Sequence, residues 1–192
     1  MKKMLIVIAV GFVTIVSCQQ KPYFKEVVSE KSVTITMREV EGQKKYILNI
    51  PIEFELNLNQ TDIKDVGIYY NKDSKRVQEL FEYLVYNGDT NKVLFAIEDL
   101  GYGSYPNSIY VVDGLHELTD IQAKELLEKY AVKKSLFELK NKRDTIEVIS
   151  YKKFRADHPD FINKMREKPD TLKLSIGFSK GREEVFAEQI KW

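Results

Sequence analysis

Only one cysteine, Cys18, occurs in the 192 residues, so no intrachain disulfide forms and burial has to stabilise the fold unaided. The two histidines, His116 and His158, have no third ligand at a metal-binding spacing, and no metal is expected. No Gly-x-Ser-x-Gly elbow or Cys/His pair is present, which argues against a serine or cysteine nucleophile. A phosphate-cradling glycine loop is missing too, and no cofactor is expected. Basic and acidic residues balance at 30 against 29. Without a basic excess or a basic run, no nucleic-acid partner is expected.

What is present begins with residues 1–20. Lys2 and Lys3 make a short positive start, residues 4–16 are almost unbroken apolar, and Ser17 sets a small residue before Cys18. The apolar run is about 13 residues, short of the roughly 20 that span a bilayer as a helix, which is the pattern of a cleaved signal peptide. Its ending, Ile15-Val16-Ser17-Cys18, resembles the lipobox of bacterial lipoproteins, with Ile15 where that family prefers Leu and Ser17 where it prefers Gly or Ala. The resemblance implies that Cys18 is acylated and becomes the first mature residue, holding the chain to a lipid bilayer. Gln19, and the absence of an acid-rich stretch at 19–23, resemble lipoproteins sent to an outer membrane and facing the periplasm. Loss of residues 1–17 removes two of the 30 basic residues and none of the 29 acidic ones, leaving a net charge near −1. The organisation expected is a signal peptide at 1–17, a lipidated cysteine and tether at 18–26, and a single domain at 27–192.

Within that domain, short alternating runs rich in Phe, Tyr and β-branched residues predict strands. Val33, Ile35 and Met37 alternate with Ser32, Thr34 and Thr36. A turn at 41–44 leads into a second long strand over 46–58, with Pro51 as a break or an edge. Further strands are expected at 66–70, 83–86, 93–97, 108–112, 135–139, 145–151, 171–178 and 184–190. Residues 73–87 fit a helix or a strand, with strand favoured for the second half because Asn87-Gly88 opens a hairpin turn. A helix is expected at 120–130, capped by Thr119 or Asp120 and burying Ile121, Leu126, Leu127 and Tyr130. A second, started by Pro159, is expected at 159–166. The fold class expected is mainly β, an antiparallel immunoglobulin-like β-sandwich with one or two short helices. Its core is expected to hold Val33, Ile35, Ile50, Ile52, Phe54, Val111, Leu174 and Ile176.

Candidate chemistry is sparse. Asn87, Asp89, Asn91 and Glu98 stand at calcium-loop spacing, but Lys92 sits where that loop needs glycine, so a hairpin turn is expected instead. Asp157-His158-Pro159 reads as a helix start. Residues 100–107 place Tyr102 and Tyr105 between Gly101, Gly103 and Pro106, a candidate binding loop whose rings could anchor a partner or fold back over the core. Three function classes follow, none of them marked by a catalytic motif. The first is a non-enzymatic binding or assembly module of the cell envelope, with an envelope protein or glycan as partner. The others are an immunity or inhibitor lipoprotein against a periplasmic toxin, and an envelope enzyme acting on glycan or peptide through carboxylates.

Overall fold

The computed structural model describes residues 22–58, 62–77, 82–94, 105–141 and 143–192. The protein is mainly β, and the strands among the described residues lie in three antiparallel four-stranded sheets. The first has the order β1 (Phe24–Val27), β4 (Pro51–Leu56), β8 (Ser108–Asp113), β7 (Tyr83–Asn87). The second runs β10 (Thr145–Ser150), β2 (Ser32–Val40), β3 (Gln43–Asn49), β9 (His116–Leu118). The third runs β12 (Glu183–Gln189), β11 (Thr171–Phe178), β5 (Ile63–Lys72), β6 (Lys75–Arg76).

The first two sheets are wings of one folded surface, because three stretches of chain leave one and enter the other. β1 passes into β2 through residues 28–31, β3 into β4 at Ile50, and β8 into β9 at Gly114-Leu115. The partners change together: β3 pairs with β2 and β9, while β4 pairs with β1 and β8. Pro51, which has no N–H to give a ladder, opens β4 at this crossing. The long strand expected at 46–58 is therefore two strands in two sheets. β1 begins at Phe24, inside the stretch expected as tether, and pairs there with Leu56.

Alternation assigns the faces. Val33, Ile35, Ile50, Ile52, Phe54, Val111, Leu174 and Ile176 are each at most 2% exposed, as their spacing predicts, and a single core cluster draws on all three sheets. The third sheet closes over the core with Tyr70, Leu172, Leu174 and Ile176. Gly42, at φ 75°, takes the left-handed turn between β2 and β3.

Three local expectations are corrected. α1 (Asp120–Lys129) has the Thr119 capping box, but it buries Ala123, Leu126 and Leu127. Ile121 is 68% exposed, since it lies off the stripe that i, i+3, i+4 spacing from Ala123 defines. Residues 136–138, expected as strand, form one 3-10 turn, with Leu136 buried and Phe137 exposed. The strand expected to run to Tyr151 stops at Ser150, whose hydroxyl accepts from the Lys153 N–H and caps α2 (Tyr151–Asp157). Tyr151 and Phe154 bury its inner face. α3 (Pro159–Arg166) starts at its proline as expected. None of the helices among the described residues is long and apolar enough to cross a membrane.

Candidate functional site

Where the two wings meet, their outward faces enclose a groove of about 780 Å³, a volume within the range of small-molecule and cofactor sites. Period 2 builds it. In β2 the odd residues Val33 and Ile35 enter the core, so Ser32, Thr34 and Thr36 point out into the groove. Register adds Asn49 opposite Thr34, Thr145 opposite Thr36 and Glu147 opposite Thr34. This wing is a wall of hydroxyl, amide and carboxylate groups. On the other wing Tyr110 and Val112 alternate with core residues Ile109 and Val111, and β7 places Tyr86 and Leu84 directly across from them. Pro51 pairs with Val112 from the far side, and this wall is carbon and aromatic ring.

The apolar wall is rigid. The Tyr86 and Tyr110 rings stack with centroids 4.8 Å apart and planes 3° from parallel, a contribution of about 1 kcal/mol beyond area alone. Lys31 stands 5.4 Å over the Tyr110 ring and donates to Gly88 O and Asn91 Oδ1, both at 2.7 Å. Glu53, across β4 from Tyr110, is held by the hydroxyls of Ser29 at 2.7 Å and Ser108 at 2.9 Å. A Cβ on Gly88 would run into Ser108, its Oγ and its backbone carbonyl alike, so only glycine lets the 88–90 turn close here. Burial, then Tyr86 and Glu53, push the Tyr110 hydroxyl up to about 12, and burial raises Tyr86 as well. Both phenols therefore stay protonated and able to donate at physiological pH.

On the core side of the same strand lies a second polar feature. Asp113 is fully buried, with Lys72 Nζ 2.9 Å from Oδ2 and His116 Nε2 3.1 Å from Oδ1. The histidine makes no aligned hydrogen bond with that oxygen. Burial pushes the Asp113 carboxyl up, but His116 and Lys72 outweigh it and hold the group below its usual range. The Tyr70 hydroxyl lies 3.2 Å from both Asp113 Oδ2 and Asp170 Oδ2. One phenolic proton serves one carboxylate at a time. Burial raises the Asp170 carboxyl, and a proton taken up there would complete a chain from Asp170 through Tyr70 to ionised Asp113. Neither aspartate lines the groove.

The residues singled out from sequence are scattered. Cys18, Tyr102 and Glu98 lie outside the described residues. Tyr105 is half-buried and packs against the core. Asn87 Oδ1 accepts from the N–H groups of Asp89 and Thr90, a side-chain-closed turn, and among the described residues no group of three acids, histidines or cysteines could hold a metal. His158 stacks on Phe154 at 4.4 Å and its Nε2 is 3.0 Å from the Tyr130 hydroxyl. The helix-face residues Glu125, Glu128, Lys129, Lys133 and Lys134 are exposed. The groove itself escaped the sequence because Ser32, Thr34 and Thr36 mark only an outward face until the fold of the sheet makes that face concave. No protein-family model, no curated protein and no solved structure matches the chain.

Proposed function

We propose that this chain is a lipid-anchored, non-enzymatic binding module of the cell envelope, held through Cys18 and probing its surroundings with the groove. The observation that carries the reading is the groove's construction. Two wings contribute opposed polar and apolar walls, and neither wall is spent on the core. Tyr23, five residues after Cys18, packs on Phe186 at 4.6 Å and Phe178 at 6.3 Å, so an anchor at Cys18 would keep the β11–β12 end of the domain nearest the bilayer. The outer-membrane, periplasm-facing placement rests on Gln19 and the stretch after it.

An enzyme acting through carboxylates draws no support from the buried pair, since Asp113 and Asp170 face the core. The immunoglobulin-like arrangement expected from strand spacing has the antiparallel pairing and the single core in its favour. The third sheet is the part that such a sandwich does not supply.

Site-specific photocrosslinking in intact cells tests the function. A photoreactive residue at Thr36 or Leu84, in the groove, is expected to capture an envelope component that one at Lys124, on the exposed face of α1, does not. Capture from Lys124 with none from the groove positions would refute the reading.

A further inference from the structure

Resting on the reading of the groove as the binding site, we infer that its ligand is a neutral oligosaccharide. The ring C–H faces of the sugar would lie on the carbon wall and its hydroxyls on the polar wall.

Four features favour this class. The charged side chains lining the groove are three carboxylates, Glu30, Glu82 and Glu147, against two cations, Lys31 and Arg143, so the lining carries no net positive charge to draw a phosphate or a polyanion. Lys31 is already engaged by Gly88 and Asn91. The polar wall offers both donors and acceptors, as a sugar hydroxyl needs: Thr34 and Thr145 present hydroxyls, Thr36 accepts from Asn49 Nδ2 and keeps its own proton to donate, and Ser32 donates to Glu147 and keeps its lone pairs to accept. Glu147 adds acceptors for a pair of neighbouring hydroxyls. The opposite wall is continuous carbon in Pro51, Leu84 and Val112, stiffened by the stacked tyrosines, and it matches the other half of a pyranose, whose C–H bonds gather on one face.

An extended peptide fits less well. Peptides that add to a sheet bond to backbone groups at a strand edge, whereas the floor of this groove presents side chains of strands paired on both sides, β2 between β10 and β3 and β8 between β4 and β7, with the edge strands β10 and β7 only at its flanks. Its volume of about 780 Å³ lies in the upper part of the range of small-ligand sites, which favours a chain of several rings over a single monosaccharide.

The test uses the full chain, purified in an amine-oxide detergent because alkyl glycosides would compete. Chitotetraose, cellotetraose and maltotetraose are titrated by calorimetry at up to about 10 mM, above a millimolar dissociation constant, beside tetra-alanine and inorganic phosphate. At least one tetrasaccharide is expected to bind, and the two controls are not. Thr34→Val, which keeps shape and removes one hydroxyl, should weaken that binding about fivefold with the melting temperature unchanged. Tyr110→Leu should weaken it at least about tenfold. Failure of all three sugars, or binding that is indifferent to Thr34→Val and Tyr110→Leu alike, overturns the inference. If the sugars fail while groove crosslinking to an envelope component persists, the binding site stands and its ligand is of another class. If crosslinking is lost as well, both readings fall together.

Discussion

Asp113→Asn tests whether the buried charge cluster stabilises the fold by being ionised. The substitution keeps the size of the side chain and one oxygen for Tyr70 and Lys72, and it removes the negative charge that Lys72 faces at 2.9 Å. Removing one partner of a fully buried pair costs about 3–5 kcal/mol. Lys72 keeps 22% of its side chain exposed and so reaches water, which lowers the expectation at pH 7 to about 2–3 kcal/mol. The pH dependence follows from the direction of the shift. Asp113 in the folded chain titrates below its ordinary 3.8, so its contribution is complete above that value. It is lost as the pH falls from there through the lower folded value, where the unfolded chain takes up the proton first. Urea denaturation followed by circular dichroism at pH 7, 5 and 3 would measure the gap between wild type and variant. The gap should persist at pH 5 and be smaller at pH 3. A gap under about 1 kcal/mol at neutral pH, or one unchanged at pH 3, would refute an ionised, stabilising Asp113.

Asp170→Asn should behave in the opposite sense. Burial raises the folded carboxyl, so its ionisation costs stability as the pH rises through the folded value, and the variant, still able to accept from the Asp73 N–H, should equal or exceed wild type at pH 7 and lose that advantage in acid. Phe54→Ala removes a fully buried ring that packs 5.9 Å from Phe24 and should cost about 3–5 kcal/mol; a loss below about 1 kcal/mol in urea denaturation would take Phe54 out of the core. Cys18→Ser should abolish labelling by a palmitate analogue and leave the signal segment uncleaved, and normal maturation of that variant would refute the lipid anchor. Tyr105→Ala, on a ring packed against the core, should lower the melting temperature by a few degrees, about 1 kcal/mol; an unchanged melting temperature would return the ring to the list of partner anchors.

The sequence made the core strands legible where one face is buried and the other wet, because alternation then has one solution. Val33-Thr34-Ile35-Thr36 is such a case; Leu172, Leu174 and Ile176 alternate likewise, although Ser175 between them is buried as well. It misled where an apolar residue lies beside a short element. Ile121 and Phe137 look like core on hydrophobicity alone, yet the α1 stripe runs through Ala123, Leu126 and Leu127, and only Leu136 of the following turn is covered. α2 was hidden because Thr145–Ser150 flows into it without a glycine or proline. The signal available was the serine at 150 with Tyr151 and Phe154 three apart, a cap and an inner face.

Asp113 shows how much a closer reading of period could have recovered. Beside Gly114 it reads as a turn residue, but Ile109, Val111 and Asp113 share one parity, which places the carboxylate on the inner face with its isoleucine and valine neighbours. A buried aspartate needs partners, and these come from β5 and from β9, 41 residues before it and three after it. The groove required more than period. Thr34 and Tyr110 occupy outward positions on strands that ordinary alternation assigns to solvent, and nothing local distinguishes them from any other wet face. Their convergence depends on Ile50, Gly114 and residues 28–31 all falling at one line across the sheet, so that three strands turn together. A break in one strand alone would have ended a sheet. Breaks in three neighbours at the same level fold it, and the folded outer face becomes a site with one polar wall and one apolar wall.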